Sequence, residues 1–83
     1  MAAKVYRRDE KIIGTIARNI KKHRKAQGLT IQELADKIDL DGHFYGQISK
    51  IERRIVNPSV SIVSIIAAAL DIKPSILLKD DDE

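Results

Sequence analysis

Residues 28–40 read GLTIQELADKIDL. Gly28 can end a preceding helix in a left-handed turn. Thr30 stands three residues before Glu33, which is the spacing of a capping box: each side chain can satisfy the other residue's orphan amide. Leu34, Ala35 and Ile38 then supply a buried stripe, and the short helix should end near Asp39. The segments on either side decide what this helix belongs to. Upstream, between Glu10 and Gln27, Ile12, Ile13, Ile16, Ile20 and His23 recur at spacings of three and four, with Asp9 placed to cap the start. Downstream, residues 40–54 read LDGHFYGQISKIERR and hold the only Phe, one of two Tyr, one of two His and two of four Gly in the chain. Asp41-Gly42 is a turn dipeptide. Ile48 and Ile51 lie on a third helix that runs to about Arg53.

Pro58-Ser59 opens a fourth helix, Val60 to Leu70, with Val63, Ile66, Ala67 and Leu70 inward. Lys73-Pro74 starts a fifth, because Pro is tolerated at the first helical position, and it ends by Leu78. No segment alternates as a strand, no repeat is present, and no linker is long enough to divide the chain. The expectation is an all-α, five-helix single domain over residues 1–83. Its core spans about 10–78, between a short basic N-terminal arm and a frayed acidic tail, KDDDE. Two short helices joined by a tight connection and packed on a longer first helix make a helix-turn-helix.

Composition narrows the function. Eighty-three residues suit one domain, and a chain of this size buries only about 60–65% of its unfolded surface, so its core is thin. There is no Cys, which removes disulfides and thiolate metal sites. MAAKVYRRDE does not resemble a signal peptide, and no stretch approaches the ~20 apolar residues of a membrane span. The simplest location is cytoplasmic, with no membrane partner. The net charge of +3 hides an asymmetry: residues 1–28 carry nine Lys/Arg against two acids, and residues 29–83 carry six against ten. A basic block of that kind suits phosphate. Catalysis is harder to build. His23 and His43 lie in different elements, no Cys nucleophile exists, and no Gly-rich loop could cradle phosphate. His43 with Asp39 and Asp41 reads as a polar turn. No enzyme activity, metal or cofactor is expected, and a chain this short leaves no room for a domain that senses a small-molecule ligand.

GLTIQELADKIDL followed by ISKIER, NPS and IIAAALDI resembles the Cro-type, lambda-repressor-like DNA-binding domain, also called the xenobiotic-response-element family. The likeness runs from about Ile13 to Leu78. It implies a five-helix lambda-repressor-like domain that docks on double-stranded DNA as a dimer, with its third helix in the major groove. The function so implied is a sequence-specific transcriptional regulator, acting as a homodimer on a palindromic operator. Such economy resembles phage repressors, restriction–modification controllers and small antitoxins. The alternative is a protein-interaction module of the same fold, of antitoxin or adaptor type, with little or no DNA binding.

Against the family pattern, seven residues rather than four separate Leu40 from Ile48. The three extra residues either lengthen the turn or add nearly a turn to the third helix. Two glycines favour a longer turn, with the helix beginning near Phe44. Ile31 stands where the family often has a phosphate-touching Gln, so that contact passes to Gln32 or is lost. Arg54 and Asp71 replace common glycines at positions that call for a left-handed backbone, which Asp tolerates better than Arg. His23 takes a usual core Leu position and reads as a partly buried, hydrogen-bonded His.

Candidate contacts follow from position. Thr30 at a helix N-terminus can offer its hydroxyl and amide to phosphate, and Arg53, Arg54 and Asn57 follow the third helix where the family's loop meets the backbone. Lys50 and Tyr45 correspond to base-reading positions, flanked by His43 and Gln47. Lys50 suits guanine O6 and N7, and Gln47 suits adenine N6 and N7. Gly46 permits close backbone approach, and Phe44 reads as a plug against Leu40. The resemblance also pairs Arg24 with Glu52, tying the first helix to the third, with Arg24 still able to reach phosphate. A second apolar stripe, Ile62, Ile65 and Ala69 with Ile72, Ile76 and Leu77 beyond, exceeds what a five-helix domain can bury and marks the expected dimer interface. Its bland alternative is packing of Ile65 and Ile76 on the first helix.

Overall fold

The computed structural model describes residues 8–80, so most of the N-terminal arm and the tail beyond Asp80 lie outside the described residues. Five helices follow one another: α1 (Glu10–Ala26), α2 (Ile31–Ile38), α3 (His43–Glu52), α4 (Val60–Ala69) and α5 (Pro74–Leu78). No strand occurs among the described residues.

Local chemistry sets the helix starts. The Ile12 amide donates to Asp9 Oδ1 at 3.1 Å, and the Ile62 amide donates to Ser59 Oγ at 3.1 Å. Thr30 and Glu33 form the full capping box on α2, and Pro74 stands in the first turn of α5. The ends of α1, α3 and α4 share one device. A left-handed residue just past the helix, Gly28, Arg54 or Asp71, turns the chain so that its own amide and the next one reach back to the last turn. At α3 these bonds run from Arg54 N to Ile51 O and from Ile55 N to Lys50 O, both 2.9 Å. This is a Schellman ending, in which glycine is the residue without a Cβ penalty. Arg54 and Asp71 adopt it at φ 63° and 59°.

The core is aliphatic. Ile16 and Ile20 of α1, Leu34 and Ala35 of α2, Ile48 and Ile51 of α3 and Val63, Ile66 and Ala67 of α4 pack together with Leu70 and Leu77. Polar side chains close the gaps between elements. Buried Asn19 donates from Nδ2 to the Ile76, Leu77 and Lys79 carbonyls at 3.3, 3.0 and 2.8 Å. It thereby satisfies the end of α5 from α1. Gln27 Nε2 does the same for the end of α4 through the Leu70 carbonyl at 2.7 Å.

Two expectations change here, and one holds: α3 begins at His43, within one residue of the expected start near Phe44. Gly42 makes this possible by capping α3 in the left-handed region at φ 77°. Leu40 is 91% exposed, so Phe44 is no plug against it; Phe44 packs on the core instead. Leu77 has no exposed surface. It belongs to the core and leaves the expected interface, because a five-residue helix that starts with Pro shows too few residues for periodicity to fix its phase.

Candidate nucleic-acid interface

The N-terminus of α2 is built by its capping box. The Thr30 amide donates to Glu33 Oε1 at 2.9 Å, and the Glu33 amide donates to Thr30 Oγ1 at 3.0 Å. The Thr30 amide, and then its hydroxyl, hold the Glu33 carboxyl below the usual carboxylate range. The Thr30 amide is therefore taken, and helix geometry leaves the Ile31 and Gln32 amides as the open donors. Gln32 is exposed, and its Nε2 donates to Asp36 Oδ1 at 2.8 Å. Ile31 packs against the core.

α3 presents an inner and an outer face. Ile48 and Ile51 are buried, while His43, Tyr45, Gly46, Gln47 and Lys50 are exposed. At about 100° per residue, the outer arc runs Tyr45, Ser49, Gly46, Lys50, His43, Gln47. Gly46 and Lys50 stand at its centre, with Tyr45 on one flank and His43 and Gln47 on the other. The turn before it is self-braced. Asp39 Oδ1 accepts the Asp41 amide at 2.9 Å, and Asp39 Oδ2 lies 3.3 Å from His43 Nδ1. Asp39, Asp41 and His43 offer ligand atoms within 4.8 Å of one another, but these contacts already account for the trio as a polar turn.

Arg24 fixes α3 to α1. Its Nε meets Glu52 Oε2 at 2.8 Å, its second amino group meets Oε1 at 2.9 Å, and its first donates to the Leu29 carbonyl at 2.8 Å. The forked pair is charge-assisted at both bonds. The hydrogen bond to Glu52 raises the Arg24 pKa above its ordinary value. Arg24 is only 7% exposed, and its donors point into the protein rather than outward.

The α3–α4 loop carries the remaining cations. Arg53 and Asn57 are exposed, and Arg53 Nε lies 3.4 Å from the Ser49 carbonyl. Arg54 turns the other way: its guanidinium lies over Gly14 of α1, where a Cβ would come within 3.3 Å of it. There it lines a polar cleft of about 470 Å³ with Glu10, Lys11, Thr15, Arg18 and Asp80. Arg8 donates to the Arg54 and Ile55 carbonyls at 2.9 and 3.0 Å. Its partners lie 46 and 47 residues away, and no local pattern announces such a contact.

On α4, Ile65 is exposed while Ile62 and Ala69 are half-buried against the core, as is Ile72 in the turn that follows. Ile76 on α5 is exposed. Ile65 lines a shallow hollow with Lys37, Ile38, Ala68 and Ala69. Ala68 joins it to a second hollow with Ile72 and Pro74.

A capped short helix, a braced turn and a second helix with an outward polar arc define a helix-turn-helix domain. A family model described as helix-turn-helix matches residues 20–77, and the chain belongs to that family. Two curated relatives are named HTH-type transcriptional regulator SinR. That from Bacillus licheniformis is 35% identical over 69 residues, 82% of this chain and 60% of the relative. That from Bacillus subtilis is 33% identical with the same coverage. The chain thus spans about 60% of the length of these relatives. Among solved structures, the hypothetical transcription factor NHTF from Neisseria is 26% identical with a TM-score of 0.78, over 99% of this chain and 90% of that one. An HTH_3 family transcriptional regulator from Vibrio cholerae is 26% identical with a TM-score of 0.77, over 88% of this chain and 39% of that one. No helix among the described residues is long and apolar enough to cross a membrane.

Proposed function

We propose that this chain is a sequence-specific DNA-binding transcriptional regulator that acts as a homodimer on a palindromic operator. The observation that carries the reading is the outer face of α3. Lys50 and Gly46 stand central, Tyr45, His43 and Gln47 flank them, and Arg24–Glu52 ties the whole helix to α1. In this reading α3 lies in the major groove, where Lys50 reads guanine and Gln47 reads adenine. The α2 N-terminus, through the Ile31 and Gln32 amides, grips one phosphate. Arg53 and Asn57 grip another, while Arg24 positions α3 from behind. Relatives named as transcriptional regulators support the same assignment.

The exposed Ile65 with its hollow, continued past Ala68 toward Ile72 and Pro74, is assigned as the dimer face. A twofold axis there would set two recognition helices about 34 Å apart, one turn of DNA. A second reading, as a protein-interaction module, draws on the exposed Leu40 between Asp39 and Asp41, since two acids at the mouth of α3 oppose phosphate. A gel-shift titration on duplex DNA at two salt concentrations separates the readings. Salt-sensitive binding is expected, with a log–log slope of about −0.9 for each phosphate neutralised. Absence of binding at low salt favours the interaction module.

A further inference from the structure

We propose that Arg8 is a positioning residue that clamps the α3–α4 loop in the shape in which Arg53 and Asn57 meet phosphate. The proposal rests on the DNA reading above. Its guanidinium spends one amino group on the Ile55 carbonyl at 3.0 Å and the other on the Arg54 carbonyl at 2.9 Å, and its Nε lies 3.2 Å from Glu10 Oε2. Those two carbonyls belong to the residues that form the Schellman ending of α3 and point beyond the helical ladder. A planar fork spans two adjacent acceptors where a single ammonium does not.

The loop has a reason to need holding. Arg54 is left-handed at φ 63° without being glycine, and such a backbone persists only where its surroundings over-determine it. Two supports do so from α1 and the residue preceding its cap. Arg8 holds the Arg54 carbonyl, and Gly14 leaves room for the Arg54 side chain to lie flat on α1. Each of its three nitrogens faces a protein partner, so Arg8 is assigned to act on the interface through the loop, and the salt slope below separates that role from a direct phosphate contact.

The test uses the full chain in two arms. Amide hydrogen exchange of the DNA-free protein reads the clamp; affinity for a random-sequence duplex across salt concentrations reads its consequence. For Arg8→Ala, exchange at the Arg54 and Ile55 amides should quicken by about threefold to tenfold, the effect of losing hydrogen bonds of ordinary net strength. Amides in the middle of α1 and α2 should be unchanged, which also shows that the variant folds. Affinity should fall with the salt slope unchanged, and Arg8→Lys should not restore it. Arg53→Ala should do the reverse, flattening the slope by about 0.9 with loop exchange unaltered. Unchanged loop exchange in Arg8→Ala would overturn the clamp. A slope flattened by about 0.9 in that variant would make Arg8 a phosphate ligand and overturn it too. Wild-type protein that fails to bind duplex would overturn the DNA reading on its own, whatever the exchange arm shows.

Discussion

Arg54 shows how much one residue can do against its own preferences. A left-handed backbone costs a residue with a Cβ about 1 kcal/mol relative to glycine, and Arg54 sits there at φ 63°. Arg54→Gly should therefore stabilise the domain by about 1 kcal/mol, a rise in Tm of about 4–8 °C at this size. A lower Tm would mean that the guanidinium's contact with Gly14 outweighs the backbone strain. The left-handed requirement followed from the family resemblance, in which glycine is common at this position. The direction of the side chain was not legible in the sequence, since its neighbour Gly14 belongs to another helix. Leu40 teaches the same lesson. Its place near the end of α2 suggests burial, yet Gly42 turns the chain so that Ile38 and Phe44 take the inner positions and Leu40 faces water.

Among the elements, α2 and α3 depend on contacts of opposite kinds. The start of α2 is entirely local, and TIQE announces it. Because hydrogen bonds from Thr30 lower the Glu33 pKa, the capping box stabilises the fold above the ordinary carboxylate pKa of 4.5 and is lost as pH falls through the lower folded value. Thermal melts of wild type and Glu33→Ala should differ at neutral pH and converge in acid. A difference that persists in acid would assign the effect to helix propensity instead. The setting of α3 is non-local, through the forked Arg24–Glu52 pair. Glu52→Ala strands a guanidinium in a nearly closed site and should cost about 3–5 kcal/mol, whereas Arg24→Met with Glu52→Leu should cost far less. We expect the double variant to fold yet bind DNA more weakly, because α3 is then held by packing alone. Undiminished binding in circular-dichroism-matched samples would deny the pair its orienting role.

For the molecule as a whole, the order of five helices was readable from capping residues and apolar spacing, and so was most of the core. The apolar surplus on α4 and α5 was harder to apportion. The structure sends Leu77 inward, half-buries Ile62, Ala69 and Ile72, and leaves Ile65 and Ile76 exposed. A thin core can accept some extra aliphatic residues, and sequence spacing alone does not say which. If the face around Ile65 is the dimer contact, Ile65→Glu should give a folded monomer at micromolar concentration by sedimentation, with much weaker operator binding. A variant that stays dimeric would move the twofold axis elsewhere.

The central claim is that the outer arc of α3 reads base edges in two symmetry-related half-sites. Selection of duplexes from a random pool, run in parallel with wild type and Lys50→Ala, tests it most directly. Wild type should select a palindromic consensus whose half-site centres lie about 10 base pairs apart. Lys50→Ala should lose preference at one guanine per half-site, worth about 1–3 kcal/mol, and keep the rest. No enriched sequence with wild type, or an identical consensus from both proteins, would contradict that claim.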